Sequence, residues 1–337
     1  MKIITGFLTD LWKISAQTPF WQFFKFLKQR FWHHKIKINP RLVSIHRYVM
    51  ESDRMDWGLT KLGVPQDWAI TRGEGVKIAV LDTGASFYHP DLKDAIQDAE
   101  NFTNDEGASD FNGHGTHCLG ICGARDNGIG IVGVAPMCQL YVGKVLGANG
   151  SGNFDWITQG ILWAIKKQVH IISMSLGSNA PYEPIHKAIK QATDLGIIVV
   201  CAAGNDGEII HQDTIGYPAR YPETISVGSI DPSMKRSDFS SVGSELKFMA
   251  PGGEVFSCWP PDGYAVLSGT SMSTPFLSAI CALILAKHLK NPGATPIKNY
   301  KDMIEHLKRI TTDMNTPGWD PETGWGLIDP SKILIID

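Results

Sequence analysis

Apolar positions between residues 76 and 204 fall into two alternating patterns. Short continuous apolar runs, VKIAVLD (76–82), QLYVGKVL (139–146), VHIISMSL (169–176) and IIVVCAAG (197–204), predict buried strands. Between them HGTHCLGICGA (114–124), FDWITQGILWAIKKQ (154–168) and IHKAIKQATDLG (185–196) predict helices. Strands buried on both faces and separated by helices predict an α/β fold, with a mostly parallel central sheet covered by helices on both faces. In such sheets the functional residues gather beyond the carboxyl ends of the strands. Asp82, Ser175 and Asn205 come directly at the ends of these runs.

A second pattern lies at SGTSMSTP (268–275), where Ser268, Thr270, Ser271, Ser273 and Thr274 crowd five hydroxyls into eight residues. Alone, the composition is that of a turn. The apolar run that follows, Phe276 to Ala286, predicts a buried helix beginning near Ser271, with Pro275 tolerated in its first turn. The positive end of a helix stabilises negative charge, so one of these hydroxyls is a candidate nucleophile, and the pattern leaves open which.

At 337 residues, 43% hydrophobic and 19% charged, the chain has the composition of a globular protein with a sizeable core. A formal net charge of -3 gives no sign of a nucleic-acid partner. No apolar run approaches the length of a membrane span. The start, MKIITGFLTDLWK, is a poor secretion signal because Asp10 and Lys13 interrupt its apolar stretch. Cys118, Cys122, Cys138, Cys201, Cys258 and Cys281 lack metal-type spacing and sit mostly in apolar surroundings. Buried free thiols are therefore expected, and with them a cytoplasmic location, secretion being the alternative. Residues 1–52 read as a separate N-terminal extension preceding a domain at 53–337. Its stretch FWQFFKFLKQRFWHHKIK is aromatic and basic, a composition that fits membrane-surface contact or a helix packed on the domain.

Three motifs give the chemistry: LDTG (81–84), a carboxylate leaving a buried strand; NGHGTH (112–117), a histidine between glycines at a helix start; and GTSMSTP (269–275). With IISMSLG, AAGN and GWGLID they resemble the subtilisin-like serine proteases over about residues 53–330, closest in character to the intracellular branch. The resemblance implies the three-layer subtilisin-like fold and a serine endopeptidase acting through an acyl-enzyme. In that reading Ser271 is the nucleophile, His114 its base and Asp82 the carboxylate that orients His114. Asn205 and the Ser271 N–H would bind the oxyanion, and His117 would be a helix residue.

The same resemblance implies polypeptide substrates held between Gly150, Ser151, Gly152 on one edge and Ser175, Leu176, Gly177 on the other. Ser175, Leu176, Ala202 to Gly204 and Gly216 would line a roomy first pocket, with Asp206 at its rim. Leu146, Phe154, Ile157 and Leu176 would form a second apolar pocket for the residue three positions upstream, so broad cleavage near large apolar side chains is expected. Structural Ca²⁺ is implied at Asp53, Asp91 and Asn127 with the carbonyls of Arg125, Ile129 and Ile131. The chain departs from the family at Lys247, where an ammonium would replace a second cation, and at Ser273 and Phe276. Finally, INPRLVSIHRY (38–48) is strand-like, and Pro40 lacks an amide hydrogen. Lying across the cleft of its own molecule, it would act as an inhibitory segment of a zymogen; the alternative is an ordinary linker.

Overall fold

A computed structural model describes residues 35–46, 52–208, 213–291 and 297–333; the aromatic and basic stretch of the extension lies outside them up to Lys35. In chain order the elements before the helix at His114 are β1 (Lys35–Lys37), β2 (Arg41–His46), α1 (Trp57–Lys61), α2 (Val64–Asp67), β3 (Lys77–Asp82) and β4 (Ile96–Asn101). Then come α3 (His114–Gly123), β5 (Gln139–Lys144), β6 (Ser151–Asn153), α4 (Phe154–Lys166), β7 (Ile171–Met174), α5 (Glu183–Asp194) and β8 (Ile198–Ala202). The last part holds β9 (Ile225–Ile230), β10 (Phe248–Pro251), β11 (Val255–Trp259), β12 (Gly263–Ser268), α6 (Thr270–Lys290), α7 (Tyr300–Arg309), β13 (Thr311–Thr312) and β14 (Leu327–Ile328).

Nine strands form one sheet in the order β13-β14-β10-β9-β8-β7-β3-β5-β4, parallel throughout except for the β13–β14 pair. Strands β7, β8, β9 and β10 are buried at every position, as continuous apolar runs in a sheet with two covered faces should be. Helices α3 and α6 pack on each other and α6 spreads over β7, β8, β9 and β10, while α4 and α5 pack on each other and on β5 and β8. From β3 the chain first winds towards β5 and β4, then crosses back to β7 and onward to β10. The carboxyl ends of β3 and β7 thus flank the point where the winding reverses, the crevice that such sheets use.

The predicted strands and helices all form, most of them with shorter ends. Asn205 does not follow directly on a strand, because β8 stops at Ala202 and Gly204 turns the chain at φ +118°. Helix α6 begins at Thr270, so Pro275 is its sixth residue and stands beyond the first turn. At 21 residues α6 is also long and apolar enough to cross a membrane, contrary to expectation; its burial within the sheet-helix core makes it a core helix.

The start of α3 is set by two glycines. Gly113 adopts φ +104°, and a Cβ there would run into the Trp259 ring. Gly115 lets the helix start press on the turn after β3, where a Cβ would collide with the Gly84 carbonyl oxygen, a backbone atom that cannot swing aside. Gly115→Ala should therefore destabilise the fold by about 1–3 kcal/mol, the range for overpacking a tight site. A denaturant midpoint within error of the parent would show that α3 has room to move.

Candidate active site

Asp82 closes β3 and His114 opens α3, and the Gly84–Gly115 contact brings them together. His114 Nδ1 lies 2.7 Å from Asp82 Oδ1, and both side chains are about 1% exposed. The same carboxylate oxygen accepts from the Thr83 N–H at 2.7 Å, while Oδ2 has no protein partner. Asp110 anchors the helix start: it accepts from the N–H groups of Asn112, Gly113 and Thr116 and from the Thr116 and Thr83 hydroxyls. The Thr83 oxygen in turn accepts from the Gly115 N–H at 2.8 Å. Neither Thr83 nor Asp110 stood out in the sequence, although Asp110 is four residues before His114. Behind Asp82, the fully buried Lys144 ammonium donates to the Thr83 carbonyl (2.6 Å) and reaches Asp105 at 3.2 Å.

The five hydroxyls of 268–275 separate by their partners. Ser268 accepts from the Glu254 N–H, Ser273 donates to the Ala250 carbonyl and Thr274 to the Thr270 carbonyl. Thr270 donates to Asn205 Oδ1 at 3.0 Å, as does its own N–H at 3.0 Å, and it accepts from the Gly204 N–H. Ser271 Oγ is the one that remains, directed at the Ser175 carbonyl over 3.4 Å. His114 Nε2 is buried without a hydrogen-bond partner. The structure thus joins Asp82 to His114 but leaves the His114–Ser271 bond unmade, a contact that in such sites tightens when substrate binds.

Asn205 points its amide nitrogen into the cleft, 2.9 Å from the Asn39 carbonyl. Residues 36–46 account for that contact. Lys37 exchanges both backbone hydrogen bonds with Gly177 at 3.2 Å, the Ile38 N–H donates to the Gly150 carbonyl, and β1 pairs with β6. Beyond Asn39, Pro40 packs on Gly269, and Arg41–His46 pair antiparallel with β12 from Ser268 to Tyr264. Ile36 is buried at 1% exposure and belongs to the hydrophobic core. Of the first-pocket candidates, the Gly216 N–H donates to the Ala203 carbonyl beside Gly204, and Ser175 Oγ donates to the Ser271 carbonyl at 2.7 Å.

His117 is buried and its Nε2 approaches the Val255 and Ala265 carbonyls; burial first, and the neighbouring His114 second, push its pKa down to about 3. It therefore stays neutral. Cys118, one turn after His114, touches His114 Nδ1 at 3.9 Å and the Ser271 carbonyl at 3.5 Å, and burial drives its thiol pKa well up. All six cysteines are free and buried.

Around Asp91, Oδ2 accepts from the Ile131 N–H and the Tyr264 hydroxyl at 3.0 Å each, and the Arg125 N–H donates to the Asp91 carbonyl. Asn127 turns its amide nitrogen towards Asp91 Oδ1 (3.4 Å) and its oxygen to the Ile129 N–H. Asp53 accepts from the Gly128 N–H through Oδ2, while its Oδ1 is buried without a partner. Burial raises the pKa values of Asp53 and Asp91, a cost that a bound cation would offset. Lys247 is mostly buried with its ammonium 3.9 Å from Glu245 and no hydrogen-bond partner, and burial lowers its pKa. Ser273 is held by the Ala250 carbonyl, and the Phe276 ring lies beside Gly58.

Comparison with known proteins places these features in a family. Residues 73–326 match the subtilase family model, Peptidase S8. The chain is 46% identical over 264 residues to an "Intracellular serine protease" of Paenibacillus polymyxa, covering 76% of this chain and 79% of that one. It is 43% identical over 258 residues to the "Major intracellular serine protease" of Bacillus subtilis, covering 74% and 80%. Against "Subtilisin Savinase" of Lederbergia lenta the identity is 41% over 263 residues, covering 77% and 92%.

Because Thr270 presents two donors to Asn205 Oδ1, it fixes which end of that amide faces the cleft. Thr270→Val removes one of the two and should lower kcat for peptide hydrolysis by up to roughly 10-fold, the range for one neutral hydrogen bond. An unchanged kcat, with Asn205→Ala severely impaired, would show that Thr270 does not orient it.

Proposed function

Because the chain belongs to the subtilase family and is a serine endopeptidase of that family, we propose that Asp82, His114, Ser271 and Asn205 carry its reaction, with residues 1–52 as an inhibitory extension. The observation that carries this reading is the Asn39 carbonyl on the Asn205 amide beside the Gly269–Ser271 turn. A substrate carbonyl in that position would meet Ser271 Oγ on one side and the amide of Asn205 with the Ser271 N–H on the other.

In this mechanism Ser271 Oγ attacks the carbonyl carbon while its proton passes to the unpartnered His114 Nε2. Asp82 holds the proton on Nδ1 and stabilises the imidazolium. The proton then goes to the leaving amine and the C–N bond breaks, leaving Ser271 acylated; water activated by His114 releases the acid. Substrates are extended polypeptides that add a strand to Gly150–Gly152 and to Ser175–Gly177, as residues 36–38 do. The burial of Ile36, three residues upstream of Asn39, supports an apolar preference there, in a pocket we assign to Leu146, Phe154, Ile157 and Leu176. Ser175, Leu176, Ala202, Gly204 and Gly216 would line the first pocket.

Hydrolysis of the bound segment itself would have to expel the ring nitrogen of Pro40. The departing end would stay fastened to β12 through Arg41–His46, so the amine remains in place and resealing competes with water. Full-length protein should therefore show little activity, and Ser271→Ala none beyond the level left by binding alone. Pro40→Ala should cut itself after Asn39, visible as a mass change, and gain activity. A full-length chain that is fully active at once, with Pro40→Ala remaining intact, would argue against inhibition by this segment.

We further assign structural Ca²⁺ to Asp53, Asp91 and Asn127 with the carbonyls of Arg125, Ile129 and Ile131. The oxygen-rich donor set and the orphaned Asp53 Oδ1 fit it, provided Asn127 presents its oxygen. Free calcium at about 100 times its dissociation constant should add roughly 2.7 kcal/mol of stability. Asp91→Ala should abolish that calcium dependence of Tm; a dependence left intact would place the ion elsewhere. The word "intracellular" in the names of two relatives and the six free thiols support action inside the cell.

A further inference from the structure

The residue two positions beyond the Asn39 carbonyl is Arg41, and it is held by side chains as well as by backbone. Arg41 pairs with Ser268 in the β2–β12 register. Its Nη2 lies 2.6 Å from Glu208 Oε1, and its guanidinium sits 5.5 Å from the centroid of the Phe239 ring. From these contacts we infer that Glu208 and Phe239 form a subsite selecting a basic side chain at the second residue after the scissile bond. The inference rests on the reading that residues 36–46 lie in the cleft as a substrate does.

The two recognising groups are preassembled. The Gly207 N–H donates to the Phe239 carbonyl at 2.9 Å and the Asp206 N–H to Ser241 Oγ at 3.2 Å, which fastens the turn carrying Glu208 to the segment carrying Phe239. A Cβ on Gly207 would collide with the Ser240 carbonyl, so this close approach requires glycine. Phe239 is buried at 7% exposure and cannot turn away. Arg236, a nearby cation, is directed at the Ser240 and Ser237 carbonyls. Among the described residues Glu208 pairs with no cation other than Arg41. Both partners of that pair are more than half exposed, so a free peptide reaches the same carboxylate. A planar cation answers both features, one edge to the carboxylate and one face to the ring. An acidic side chain at that position would meet Glu208 and be repelled.

The test uses quenched peptides that differ only in the second residue after the scissile bond, Arg, Ala or Glu. They are assayed with the full-length chain carrying Ile36→Asp, which puts a carboxylate into the buried Ile36 site and should drive the segment out. The Arg peptide should exceed the Glu peptide in kcat/KM by roughly 5–10-fold at low salt, the scale of an exposed ion pair plus a cation–π contact. Glu208→Lys in the same background should bring that ratio to about 1 or invert it. A ratio unmoved by Glu208→Lys overturns the subsite. Without Ile36→Asp, Arg41→Glu and Glu208→Lys should each raise the basal rate by roughly 2–5-fold, and the two together should lower it again. A double variant as active as either single overturns it as well. If Ile36→Asp fails to raise activity, the substrate-like reading of the segment is wrong, while the peptide ratio still decides the role of Glu208.

Discussion

Pro275 has no amide hydrogen, and the centre of the molecule is arranged around that missing donor. In an unbroken helix the N–H of residue 275 would bond the carbonyl of Ser271. Here that carbonyl is released and accepts from Ser175 Oγ at 2.7 Å and Cys118 Sγ at 3.5 Å. Ser175 stands at the end of β7 and Cys118 one turn into α3, so one carbonyl links the strand, the helix of His114 and the helix of Ser271. A buried acceptor left empty would cost about 1–3 kcal/mol. Filling it from Ser175 and Cys118 also sets the distance between the elements that hold Ser175, His114 and Ser271.

Charge burial follows the same logic. Asp82 lies at about 1% exposure with one oxygen shared by His114 and Thr83, and Lys144, fully buried, stands behind the Thr83 carbonyl. A carboxylate taken out of water needs several hydrogen bonds or an opposite charge to stay ionised. Strands β3 and β5 are neighbours in register with Asp82 opposite Lys144, so the sheet brings the acid and the cation to the same end. Asp82 is held 2.7 Å from the imidazole of His114, and the neutral His117 nearby adds no competing charge.

Much of this was legible because strand ends are legible. Apolar runs bounded by LDTG and IISMSLG mark where a parallel sheet stops, and Asp82 and Ser175 lie there. Asn205 was found from its motif and misplaced in detail, since the apolar run IIVVCAAG extends past the last sheet hydrogen bond and the turn at Gly204 is a matter of φ. The hydroxyl cluster shows the limit more sharply. Composition cannot distinguish Ser271 from Thr270, because what separates them is a partner 65 residues away: Asn205 takes Thr270 and leaves Ser271. The length of α6 misleads in the other direction, since burial in a core and burial in lipid select the same apolar run.

The segment 36–46 unites these points. It has no core of its own, and Leu42, Val43 and Ile45 are each more than two-fifths exposed. Its order comes from edges that belong to the enzyme: β6 and Gly177 before Asn39, β12 after it. An edge that accepts an extended chain through backbone bonds discriminates weakly, and in the proposed reading it is open to the chain's own sequence as well as to substrates. If the segment inhibits as proposed, tethering decides the competition, because a segment joined to the domain by a few residues is present at an effective concentration that free substrates seldom reach. The structural requirement on such a segment is modest: strand character, one apolar side chain for the Ile36 site, and a residue at the bond facing Ser271 that makes a poor leaving group. Arg41 adds a side-chain charge contact, to Glu208, on the far side of that bond. Occupancy and resistance to cleavage are therefore set by different residues, so the segment can evolve tighter binding without becoming a better substrate.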